Sequence, residues 1–122
     1  MHIVDVCAFY SPQGGGVKTY IERKLAMLPE LGAQVSIVAP GKRDAIEERG
    51  PNARIRYIQA PSFPLDRRYR YFDNEARLHA TLDDLCPDVV EASSPWSSAS
   101  MVAHWKGSAI RSLVMHADPL SA

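Results

Sequence analysis

Ile3-Val4-Asp5-Val6-Cys7-Ala8-Phe9 is a short, mostly apolar run, broken by Ser11-Pro12 and then by Gly14-Gly15-Gly16. Immediately afterwards the hydrophobic spacing changes. Val17, Tyr20, Ile21, Leu25, Leu28 and Leu31 recur at three and four residues, which places them on one face of a helix, while Lys18, Glu22 and Arg23 fall largely on the other. A buried strand, a glycine turn and an amphipathic helix in that order are the opening of a parallel α/β unit. Gly32 stops the helix, and Pro29 is expected to end it early or bend its last turn.

The same alternation continues along the chain. Val35–Ala39 reads as a second buried strand closed by Pro40-Gly41. The polar stretch Lys42–Asn52 is expected to hold at most a short helical turn near Asp44–Arg49. Arg54–Gln59 alternates as a strand nearer an edge, Ala60–Pro64 as a loop, and Tyr71–Leu85 as a helix. Val89–Ala92 is a fourth strand. Ser93-Ser94-Pro95 has the composition of a helix start, with a helix from Trp96 to Lys106 closed by Gly107, and Ala109–Met115 is a fifth strand. Strands apolar on both faces, separated by helices, imply a Rossmann-like doubly wound parallel sheet of class α/β. Ligands of such sheets sit beyond the carboxyl ends of the strands.

Composition narrows the function. The 122 residues carry 14 Lys and Arg against 14 Asp and Glu, with 46% hydrophobic and 23% charged residues, so one domain with a real core is expected. Zero net charge argues against a protein that coats nucleic acid. No spanning segment and no signal peptide are visible, and a cytoplasmic protein is expected. Cys7 and Cys86 fit neither a disulfide framework nor a metal motif, and both read as reduced and mostly buried.

The glycine run carries the chemistry. Without side chains it lets backbone amides approach a ligand, and the following helix offers unpaired N–H groups and a positive dipole end. Together these favour a phosphate, though a tight turn with no ligand is the plainer alternative. Two familiar phosphate motifs fail here. The dinucleotide fingerprint would need glycine where Thr19 stands and an acid at the end of the second strand, and a P-loop would need glycine at Val17.

Phe9 to Tyr20, with its Tyr-x-Pro stretch and glycine turn, resembles the opening of family 4 glycosyltransferases, which have the GT-B fold. Leu31–Gly41 resembles the family's entry into its second strand, Pro87–Glu91 its fourth strand, and Val114–Asp118 its fifth strand with the histidine that ends it. The resemblance implies an N-terminal, acceptor-side domain of a retaining enzyme that moves a sugar from a nucleotide-diphosphate sugar to an acceptor hydroxyl, with no metal and no other cofactor. Gly14, Gly15, Gly16 and Lys18 would face the donor diphosphate, although lysines on such helices are usually solvated. His116 would position the reacting groups. Asp118 would orient it or simply form a turn.

Other candidates are weaker. Arg67, Arg68, Tyr69 and Arg70 could dock a sugar, lipid or small-molecule acceptor or meet the inner face of a membrane peripherally, or they form a solvated cluster pairing with Asp66 and Asp73. Glu91 and Trp96 follow onto the active edge, where Trp96 lines a cleft or anchors a helix. The C-terminal nucleotide-sugar domain of the GT-B fold has no counterpart in residues 1–122, so the domain is expected to be incomplete and inactive by itself. A stand-alone module for a phosphorylated ligand and an inert gene remnant are the alternatives.

Overall fold

A computed structural model describes residues 1–8, 16–92 and 97–113. The elements are β1 (His2–Val6), α1 (Gly16–Glu30), β2 (Gln34–Gly41), β3 (Ala45–Gly50), β4 (Ala53–Gln59), β5 (Ser62–Phe63), β6 (Asp66–Arg70), α2 (Glu75–Leu85), β7 (Val89–Ala92), α3 (Ser97–His104) and β8 (Ile110–Leu113). Six strands form one sheet in the order β3-β4-β2-β1-β7-β8. All neighbours pair in parallel except β3, which runs antiparallel to β4 at the edge. The α/β class with a mostly parallel sheet is therefore as the alternation implies.

The strand order explains where a ligand belongs. From β1 the chain moves outward through β2 to β4, then returns past β1 to β7 and β8. The direction of winding reverses between β1 and β7. At such a switch point the loops leaving the two strands diverge to opposite faces, which opens a crevice at the carboxyl edge.

Helices cover both faces. On one, Ile21 and Leu25 of α1 pack on Val35, Ile37, Ala53 and Ile55. On the other, Leu78, Leu82 and Leu85 of α2 and Val102 of α3 pack on Val4, Val6, Val38, Ile58 and Val90. Ile21, Ile37, Ile55, Leu78 and Leu82 are fully buried, and each contributes about 1.5–3 kcal/mol by leaving water. Pro29 does not end α1. It lies in the last turn, where the missing amide costs a single hydrogen bond, and Gly32 at φ +86 turns the chain out.

Three local expectations need correction. Asp44–Arg49 holds no helical turn: Ala45–Gly50 is β3, since the Gly50-Pro51 turn folds the segment back onto β4, and pairing with an open sheet edge outweighs the helix propensity of Ala, Glu and Arg. Ala60–Pro64 is not all loop, since Ser62–Phe63 is β5, and the helix that follows does not begin at Tyr71. Asp66–Arg70 is β6, paired with β5, and α2 begins only at Glu75. Asn74 sets that start, its Oδ1 accepting from the Arg77 amide at 3.1 Å. The Tyr71 amide is already bound to the Pro61 carbonyl, and Phe72 fills the core from outside the helix. Finally, Cys7 is buried but Cys86 is exposed, because it caps α2 in a left-handed conformation at φ 48. The expected strand ends at Phe9 and Met115 and the serine cap at Ser93-Ser94 lie outside the described residues.

Candidate functional site

The switch point sits directly above a buried charge cluster. Asp5 of β1 and Glu91 of β7 are register partners and point to the α1 side of the sheet. Neighbouring strands lie about 4.8 Å apart, so two carboxylates there repel strongly unless a cation separates them. Lys24 of α1 supplies it: Nζ is 2.7 Å from Asp5 Oδ2 and 2.7 Å from Glu91 Oε2. The Tyr20 ring, one helical turn earlier, lies 5.0 Å from the ammonium. Asp5 is completely buried, whereas Lys24 and Glu91 keep part of their surface in water.

The electrostatics follow from that geometry. Burial alone would pull the Lys24 ammonium down. The charge of Asp5 and hydrogen bonds to Asp5, Glu91 and Tyr20 outweigh it and hold the pKa well above the ordinary lysine range. Burial raises the Tyr20 phenol, although Lys24 opposes it. The arrangement favours the charged form of Lys24. Its role is to tie β1, β7 and α1 together one or two residues below the points where the chain leaves the sheet.

The predicted site residues fall in different places. Gly16 opens α1 at the carboxyl edge, beside β1, and Lys18 is half-buried in the first turn of the same helix. Glu91 lies at that edge too, but its carboxylate is engaged by Lys24. Arg67, Arg68 and Tyr69 occupy β6 of the two-stranded sheet, and Arg70 Nη1 donates to the Ala60 carbonyl at 2.7 Å. Gly14, Gly15, Trp96, His116 and Asp118 lie outside the described residues. Among the described residues no group of three His, Cys, Asp or Glu side chains is placed to hold a metal ion.

Lys24 and Asp5 went unnoticed in the sequence, yet a signal was present. Lys24 lies three residues after Ile21 and four before Leu28, inside the apolar stripe, and Asp5 interrupts an apolar strand. Opposite charges at two positions that must both be buried imply that they meet.

A doubly wound α/β domain, with a glycine-led helix at its switch point, is the kind of fold that binds phosphorylated or nucleotide-linked molecules at the carboxyl edge. The family model of the glycosyl transferase 4-like domain matches residues 15–118, and the chain belongs to that family. No curated protein matches the chain. Among the described residues no helix is long and apolar enough to cross a membrane.

Proposed function

We propose that the chain is the acceptor-side part of a retaining glycosyltransferase. It takes a nucleotide-diphosphate sugar as donor and presents the hydroxyl of a sugar, lipid or small-molecule acceptor to it, without a metal. The observation that carries this reading is the position of Gly16. It begins α1 at the carboxyl edge of the central strand, where backbone amides and the helix dipole meet a diphosphate without side-chain obstruction. Gly14, Gly15 and Lys18 complete that contact, and the rigid Lys24 cluster beneath keeps β1 and α1 in register with each other.

Catalysis in this reading is electrostatic. As the sugar leaves, negative charge grows on the diphosphate, and preorganised amides stabilise that state more than the ground state. His116, with Asp118 beside it in sequence, positions donor sugar and acceptor. Arg67, Arg68, Tyr69 and Trp96 belong to acceptor docking, and the β6 arginines allow peripheral contact with the inner face of a membrane.

Calorimetric titration with UDP-glucose and GDP-mannose tests the proposal. Saturable binding lost in Gly15→Val and weakened in Lys18→Met is expected. Heat that never saturates, or binding indifferent to both substitutions, overturns it. Binding of glucose 1-phosphate as tightly as either nucleotide sugar would favour the module for a simple phosphorylated ligand.

A further inference from the structure

On the face of the sheet opposite α1, a cavity of about 300 Å³ opens between β4 and α2. Its mouth is at the carboxyl edge. There Asp44, in the loop after β2, accepts from the Gln59 amide at 2.8 Å and pairs with Arg77 of α2. Arg56 of β4 also lines it and pairs with the exposed Asp84 of α2. Thr81 lines the helix side, its hydroxyl donating to the Arg77 carbonyl at 2.9 Å. Ile58 forms the buried wall, and Ile46 stands across from Arg56 on β3.

Ile46 is the odd residue in this surface. It is 55% exposed on an edge strand that otherwise carries Glu47, Glu48 and Arg49. Nothing in the packing of the sheet needs an aliphatic side chain there, while a ligand with an apolar face would cover it. The charges define the rest of that ligand. Each guanidinium is matched by a carboxylate, so the cavity has no excess positive charge for a phosphate. The hydrogen bond from the Gln59 amide, aided by Arg77, lowers the Asp44 pKa despite some desolvation and keeps that carboxylate an acceptor.

We propose that this cavity is a subsite for a neutral pyranose of the acceptor. Asp44 accepts hydrogen bonds from its hydroxyls, Arg56 and Arg77 donate to them in planar pairs, and Ile46 and Ile58 meet the C–H face of the ring. The subsite lies on the face of the sheet opposite α1, the helix that Gly16 opens, so it engages the acceptor and leaves the donor alone. This assignment rests on the transferase reading for its ligand class.

The test is a titration of the ¹⁵N-labelled 122-residue chain with the methyl pyranosides of glucose, galactose, mannose and N-acetylglucosamine, followed by ¹H–¹⁵N correlation spectra. At least one should move the amides of Ala45, Ile46, Ile58 and Gln59 saturably. Asp44→Asn and Arg77→Met should each weaken it roughly tenfold or more, the loss expected for a hydrogen bond to a charged group. Ile46→Asp, at an exposed position that does not threaten folding, should do the same. No shift with any pyranoside, shifts that survive Ile46→Asp unchanged, or shifts produced by inorganic phosphate in their place overturn the subsite. A UDP-glucose titration run alongside separates the two readings. Donor binding without pyranoside binding removes the subsite alone, and pyranoside binding without donor binding upholds the subsite and removes the donor contact proposed at Gly16 and Lys18.

Discussion

Lys24 lies on the apolar stripe of α1 and is tied to Asp5, a carboxylate with no exposed surface, at 2.7 Å. The pair reaches across from helix to sheet at the point where the winding reverses, and Glu91 holds the third corner. Lys24→Met keeps most of the volume of the side chain and removes the charge. It leaves Asp5 and Glu91 facing each other without the Lys24 ammonium between them. A loss of about 3–5 kcal/mol is expected, the range for stripping one partner from a buried pair. Urea unfolding at neutral pH measures it. A change below about 1 kcal/mol would mean that water reaches the carboxylates in the variant.

The two carboxylates of the cluster should differ. Asp5 is fully buried, whereas the Glu91 side chain keeps 17% of its surface. Neutralising the deeper group disturbs more, because Lys24 is then left with a partner that water already competes for. Asp5→Asn is expected to lower the urea midpoint more than Glu91→Gln. If Glu91 serves an acceptor as well, Glu91→Gln will weaken acceptor binding out of proportion to its small effect on stability. Equal midpoints for the two variants would contradict the burial difference.

The surroundings of His2 predict a pH dependence of the fold. Its Nδ1 lies 2.9 Å from the Leu85 carbonyl and its Nε2 2.8 Å from the hydroxyl of the fully buried Ser36. With neutral imidazole, Nδ1–H donates to the carbonyl and Nε2 accepts from the hydroxyl. Burial pushes the pKa down, against the pull of the Leu85 carbonyl. A depressed folded pKa means that the unfolded chain binds the proton more readily. The stabilisation is therefore complete above the unfolded value near 6.5 and is lost as pH falls below it toward the folded pKa. Urea midpoints from pH 7.5 down to 5, with His2→Gln as reference, should show a steeper decline for the wild type. Parallel curves would remove His2 as the cause.

Periodicity was enough for the layered α/β fold, because strands buried on both faces and a helix stripe at three and four residues leave few other packings. It failed where local propensity and tertiary pairing disagree. Ala45–Gly50 has the residues of a helix and the position of an edge strand, and the edge decided. Tyr71 and Phe72 fit the helical spacing of α2, but Asn74 caps it later, and a single capping residue is a weaker signal in a sequence than sustained apolar spacing. The glycine run suggests an anion site because such a site would need only backbone. Lys24 with Asp5 was harder to see, since a contact 19 residues apart depends on which helix crosses which strand.

Gly107 is required by a neighbour and not by its backbone angle. A Cβ built there would overlap the six-membered ring of Trp105. That ring cannot step aside cheaply. Its Nε1 donates to Asp83 Oδ1 at 2.9 Å, the Arg111 guanidinium stacks 5.3 Å from its centre, and the residue is 6% exposed in the core between α2 and α3. Arg111 also donates to the Trp105 and Gly107 carbonyls, so the same loop is held from both sides. Gly107→Ala must move the ring or the loop, and overpacking of this kind costs about 1–3 kcal/mol. The expected result is a lower urea midpoint and a red-shifted tryptophan emission as the Trp105 indole meets water. Asp83→Asn, which keeps an acceptor oxygen for Nε1, should shift the emission far less. If Gly107→Ala leaves both midpoint and emission unchanged, the indole has another resting place and the Asp83 bond does not hold it.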